Sequence, residues 1–183
     1  MRRIAMTILC TLTFACTPQL FPPGTLKDID PKFDFSRWQM FPSSMDNHKI
    51  QLGARIIQSH AKDQTVTIVA DQLPIVEHPA YGPKETGKAQ ARLFAIVYQG
   101  KLGPLFLHKG NRLIVVGYIR SPVQVEVEEV LRNLPAMTAQ CLHIWQTGDH
   151  DIADSHASGA GYPVLREETY CGGEMPWSPM GNF

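Results

Sequence analysis

The sequence predicts an all-β fold, a small OB-like barrel of five to six strands with a long internal loop. An N-terminal lipoprotein signal precedes the barrel and an irregular C-terminal tail follows it. Three observations carry that expectation. Proline and glycine are plentiful, at 14 residues each in a chain of 183, which suits a turn-rich β protein better than a helical one. Five runs rich in β-branched and aromatic residues are separated by turn signals. Gly53 and Gly117 interrupt the first and fourth runs, where a small closed barrel needs kinks or bulges. Closure also removes the exposed strand edges that invite pairing between molecules. The expected division is a signal over 1–15, a Pro-rich tether over 16–48, a barrel domain over 49–145 and a Gly-rich tail over 146–183.

The signal comes first. Arg2 and Arg3 open the chain, and residues 4–15 carry no charge. A basic start, an apolar core of about a dozen residues and a small residue before the cut read as an export signal. The core is shorter than the roughly 20 apolar residues that span a bilayer. Ala15 followed by Cys16 points to a lipoprotein signal, with cleavage between them and acylation of the Cys16 thiol. Thr13 stands where such signals usually carry Leu. Cys10 competes less well, because Ile8-Leu9 offers no small residue before it. Thr17 after the Cys fits sorting to an outer membrane. The alternative is an ordinary secretory signal with a chance Cys.

Residues 17–48 contain Pro18, Pro22, Pro23, Pro31 and Pro42, which suits an extended tether. Phe33, Phe35, Trp38 and Phe41 are too many aromatics for a free linker, so this part is expected to pack back onto the domain as a helical turn near 34–40. The strands follow. Residues 49–58 form the first, with a kink at Gly53. A polar turn over 59–64 leads into the second, over 65–73. Residues 74–88 are a long loop broken by Pro and Gly, of the length that tends to be functional. The third strand covers 89–99, and the fourth 111–119 with a bulge or bend at Gly117. Residues 123–130 alternate apolar and charged, so they either extend the fourth strand or pair beside it. A helix over 127–133, stopped by Pro135, is the alternative. The closing strand covers 137–145, and beyond it the chain reads as a mobile tail.

Several of these pieces, taken in order, resemble the Slp family of starvation-inducible outer-membrane lipoproteins. The carrying residues are Leu52-Gly53-Ala54-Arg55-Ile56-Ile57, Gln72-Leu73-Pro74-Ile75, Gln90-Ala91-Arg92-Leu93-Phe94-Ala95, Arg112-Leu113-Ile114-Val115-Val116-Gly117 and Leu142-His143-Ile144-Trp145. They span 49–145 behind Cys16. The chain departs from the family at Ala91, where a Gly is usual. It departs again at Gly100-Lys101-Leu102-Gly103-Pro104, which lacks a Phe and an Asp, and over 126–135, where a Tyr-rich stretch is usual. The resemblance implies a divergent member, lipid-anchored at Cys16 in the outer membrane and facing the periplasm. It implies a stress-related structural or binding module of the cell envelope without enzymatic activity or cofactor, whose partner is the membrane.

The remaining chemistry is sparse. Formal net charge is zero, from 17 basic and 17 acidic residues, and no basic run marks a nucleic-acid surface. Asp149, His150, Asp151, Asp154 and His156 are a candidate metal set, since His and carboxylates ligate zinc, although no strand or helix fixes them. The bland reading is a solvated polar loop. His143 alternates with Leu142 and Ile144 and so points away from them, as a hydrogen-bonded structural histidine would. Cys141 and Cys171 either pair, as an oxidising compartment favours, or stay reduced with Cys141 buried in its strand. No activated thiolate is legible. Beside the envelope module stand two other readings. One is a periplasmic protein binding a small ligand or metal through the long loop and the His/Asp tail. The other is a metal-assisted hydrolase, for which no constellation is visible.

Overall fold

The computed structural model describes residues 19–85, 92–152 and 165–172. The described residues form six strands, in the order β1 (Lys49–Lys62), β2 (Thr65–Leu73), β3 (Leu93–Gln99), β4 (Arg112–Val127), β5 (Val130–Trp145) and β6 (Glu167–Cys171). The α-helix α1 (Phe35–Met40) precedes them. The fold is all-β, with one sheet ordered β3-β2-β1-β4-β5-β6. Neighbours in that order pair antiparallel. β3 also pairs with β5, in parallel, through Ala95 with Ala136, Ile96 with Met137 and Val97 with Thr138. Hydrogen bonding therefore runs from β3 through β2, β1, β4 and β5 back to β3, and β6 lies outside that ring on β5.

Several elements differ from their expected bounds, β3 among them, which begins at Leu93. β1 continues through Ser59, His60 and Ala61 to Lys62, and the turn shrinks to Asp63-Gln64, with Asp63 at φ 56°. The irregularity in β1 falls between Ile56 and Gln58 and not at Gly53. Gly53 answers a different need, since a Cβ there would lie 2.6 Å from Cβ of Pro83. β4 does extend to Val127, and no helix forms over 127–133. Glu128 and Glu129, at φ 51° and 65°, make a two-residue turn in which both central residues take positive φ, the geometry whose twist suits a hairpin. Val130 then pairs back with Val127 and Leu131 with Glu126. Within the 146–183 tail, residues 167–171 pair with β5 as the sixth strand, a run too short to announce itself without its partner.

Gly117 does mark a bulge, where the β4–β5 register shifts between Val116 and Gly117. A Cβ on Gly117 would run into the Thr138 carbonyl oxygen. A second shift lies between Arg120 and Val123. Pro122 sits in this gap and Pro135 lies across from it, where a missing N–H costs the ladder least. The paired strands bend there, and the distal hairpin folds over the outer face of β1, β2 and β3. Val123, Val125, Val127 and Leu134 pack there with Ile57, Val69 and Ala95.

The main core fills the inside of the ring with Ile50, Leu52, Ile56, Ile68, Ile96, Leu113, Met137 and Leu142 among others. Residues 33–45, within the stretch read as a tether, close one end of it. The helical turn expected near 34–40 forms as α1, capped by the Asp34 carboxylate, which accepts from the amides of Ser36 at 2.8 Å and Arg37 at 3.3 Å. Trp38 is fully buried and meets Phe33, Phe35 and Phe94 edge to face. Its indole N–H has no hydrogen-bond partner among the described residues, so its contribution comes from burial and ring contacts.

Two substitutions separate these causes in urea denaturation. Trp38→Ala lowers stability by about 3–5 kcal/mol, the range for emptying a buried aromatic site. Glu129→Gly raises it by about 0.4–1 kcal/mol by relieving a positive φ. A lowered midpoint for Glu129→Gly would refute the turn assignment.

Candidate functional site

The residues leading away from Cys16 enter the described structure on the outer face of β5 and β6. In β5, Leu142 and Ile144 point into the core, so Cys141, His143 and Trp145 point outward. A strap formed by residues 20–29 crosses this face. Phe21, buried, packs with Ile114, Val116, Cys141 and Trp145, and partly buried Leu20 and Ile29 lie against the same cluster. The Thr25 hydroxyl lies 3.8 Å from Cys141 Sγ. At the far end of the strap, the Asp30 amide donates to the Lys49 carbonyl at 2.8 Å, joining it to β1. The Asp30 carboxylate meets His48 Nδ1 at 3.1 Å. The Lys32 amide and His48 hold that carboxyl below its usual range.

A polar latch fixes the strap's first residue. The Thr169 hydroxyl donates to the Leu20 carbonyl at 2.9 Å, and His143 Nδ1 stands 2.7 Å from Thr169 Oγ1. His143 Nε2, buried, faces the Glu167 carboxylate at 3.5 Å. Burial pushes the imidazole pKa below 6.5, against the opposing pull of Glu167. The neutral ring is thus a structural part of the strap, as its outward position implied.

Cys141 stands directly opposite Cys171 in the β5–β6 ladder. Their Cα atoms are 4.1 Å apart, and the sulfurs lie at bonding distance. Both cysteines flank the latch, since Leu142 pairs with Tyr170 and His143 with Thr169. Tyr170 donates to Glu168 at 2.6 Å. Burial and that carboxylate push its pKa up to about 12.

The described part of the long loop is pinned down at one end of the sheet. Arg55 and Arg112 face each other in the β1–β4 register, a like-charge pair that needs compensation. Arg55 pairs with Asp71 at 3.3 Å and with Glu85. Arg112, buried, pairs with Asp151 and donates to the Pro83 carbonyl at 2.8 Å. The Lys84 amide reaches the Pro74 carbonyl at 3.1 Å. Residues 74–85 are therefore bolted to the sheet by two arginines that the sequence offered only as strand residues.

Of the candidate metal set, Asp151 is committed to Arg112, while Asp149 packs against Gly110 in a turn at φ 71°. His150 is exposed. Asp154 and His156 lie outside the described residues, as does Cys16. Among the described residues no group of three His, Cys, Asp or Glu is placed to hold a metal ion. The Leu20–Thr169–His143 latch was not legible in the sequence, beyond the outward position of His143.

A family model described as "Outer membrane lipoprotein Slp family" matches residues 14–177. No curated protein matches the chain.

The latch makes stability depend on pH. Below about 6.5 the unfolded chain takes up a proton on residue 143 that the folded chain refuses, so stability falls from there down to the folded pKa and levels off beneath it. Urea midpoints between pH 8 and 5 should fall more steeply for the wild type than for His143→Gln. Parallel curves would dissociate His143 from the effect.

Proposed function

The chain belongs to the outer membrane lipoprotein Slp family, and from that membership we propose that acyl chains on Cys16 mount it on the outer membrane as a periplasm-facing, non-enzymatic module of the envelope with a role in stress. The strap is the observation that carries this reading. Only residues 17–19 separate Cys16 from Leu20, which is already tied to Thr169. At about 3.5 Å per residue, the acylated cysteine sits within about 14 Å of the folded body. The connection is a short mount for the domain and leaves little slack. Several acyl chains on one residue give stable anchoring where a single chain would be marginal.

The ring β1-β2-β3-β5-β4 is read as an OB-like barrel, a reading supported by the parallel β3–β5 pairing and the continuous apolar interior. Such barrels host many unrelated functions, so the fold leaves the ligand open. In an oxidising compartment Cys141 and Cys171 would pair and lock β6, and with it the latch, to β5. The loop so closed has a sequence separation of 30, for which the chain-entropy model gives about 3–4 kcal/mol. Binding of a small ligand or metal through the 74–88 loop and the His/Asp tail is the second reading. It is less favoured, since Arg55 and Arg112 commit much of the loop and Asp151 to structure.

Intact mass and membrane fractionation of the wild type beside Cys16→Ala test the anchor in a Gram-negative host. The expected wild type begins at Cys16, carries added acyl mass and is recovered with the outer membrane, and the variant loses all three. A wild type without acyl mass rejects the mount. Mass spectrometry of the unreduced protein after thiol labelling should find neither Cys141 nor Cys171 labelled. Labelling of both would reject their pairing.

A further inference from the structure

The strap has a direction, and it leads to one end of the ring. The Asp30 amide is bonded to Lys49, which pairs with Tyr118 of β4. The Thr25 hydroxyl lies by Cys141, which pairs with Val116. Leu20 is tied to Thr169, which pairs with His143, and His143 pairs with Ile114. Followed back toward Cys16, the strap therefore runs along β4 from Tyr118 toward its first residue, Arg112. We propose that the end of the ring beside Arg112, closed by residues 101–109, rests on the surface of an anionic bilayer. Leu105 enters the interface there, between Lys101 and Lys109 on the headgroups. The proposal rests on the reading of Cys16 as the anchored residue.

Chain length decides between the two ends. The Pro104–Leu107 turn stands where β3 has finished and β4 is about to begin. α1 stands at the opposite end, where β3 begins, with Phe35 against Phe94. From the row of Ile114, Arg112 is about 7 Å along the strand. Ile119, which receives the Asn47 amide at the α1 end, is about 17 Å the other way. Cys16 reaches at most about 14 Å from Leu20. The anchor therefore serves the near end, although Met40 at 66% and Phe41 at 60% make the α1 end the more exposed in apolar terms.

The near end carries chemistry that suits a bilayer surface. Leu105 is 52% exposed, while Phe106 and Leu107 beside it pack against the main core. Its backbone is held, since the Asn111 side-chain amide donates to the Leu105 carbonyl at 2.9 Å and the Ser59 hydroxyl to the Leu107 carbonyl at 3.0 Å. Phe106 meets Tyr170 edge to face at 5.7 Å. Tyr170 follows Thr169 in β6, so this strand holds the strap on one face and the turn on the other. Lys101 and Lys109 are exposed and join no ion pair among the described residues. Residues 100–111 contain no Asp or Glu. An apolar side chain gains by entering the interface, and each lysine by standing near anionic headgroups.

Methyl NMR of residues 16–183 in nanodiscs tests this, with the Cys16 thiol coupled to a maleimide lipid. The discs contain phosphatidylglycerol and a gadolinium-chelating lipid. Chemical coupling separates the result from cellular acylation, which intact mass reports independently. The Leu105 methyl signals should broaden strongly, and the Met40 methyl signal should stay sharp. Lys101→Glu with Lys109→Glu, both on exposed side chains, should lower the population held this way at least about tenfold and sharpen the Leu105 signals. Equal broadening of Leu105 and Met40 would overturn the proposal, as would stronger broadening of Leu26 in the strap or a double variant that behaves as the wild type.

Discussion

Three residue pairs between β3 and β5 carry a disproportionate share of this architecture. Without them the strands make an open sheet with two edges, and its inner face would need another layer to cover it. With them the sheet turns back on itself, and the side chains of five strands bury one another. Everything outside the ring then has a surface to lie on. The strap packs on β4 and β5, α1 closes an end, and the β4–β5 hairpin folds over β1–β3. β5 is the common member. It pairs with β4 along its whole length and, beyond that, with β3 over 136–138 and with β6 over 141–145, and its outward residues hold the strap.

The fold class could be read because it rests on local periodicity. Two features of the chain were also readable for physical reasons. Gly117 stands inside a β-branched run with no turn around it, which implies a place where a side chain cannot fit. The aromatic density of 33–41 exceeds what a solvated linker tolerates. The misread elements are those whose cause is not local. The Glu128-Glu129 turn lacks the Asn or Gly that usually announces two positive φ values, and the alternation on both sides had to be paired before it became visible. β6 is five residues long and exists because β5 offers an edge. Gly53 is explained by Pro83, thirty positions away.

The same distinction separates what was legible in the candidate site. A lipoprotein signal is a linear code, read by export machinery from consecutive residues, so the proposal of Cys16 rests on sequence alone. His143 could be placed on the outer face by alternation. Its partners could not, because Thr169 and Leu20 are distant in sequence and unremarkable in type. Arg55 and Arg112 read as strand residues until the register set them face to face. Their need for counter-charge then explains why Asp71, Glu85 and Asp151 stand where they do.

The Thr169–Leu20 contact joins residues 149 positions apart, and this bears on how the protein assembles. A chain delivered from its N-terminus presents the strap first and the strand that latches it nearly last. Phe21 and Leu20 therefore wait, without their final cover, while the ring forms and β6 arrives. Contacts of such separation slow folding, because the loop must close before the contact rewards it. The interval before closure is one in which a holding chaperone would find apolar surface to bind, and a chain cut short before Thr169 would keep its leading segment unfastened.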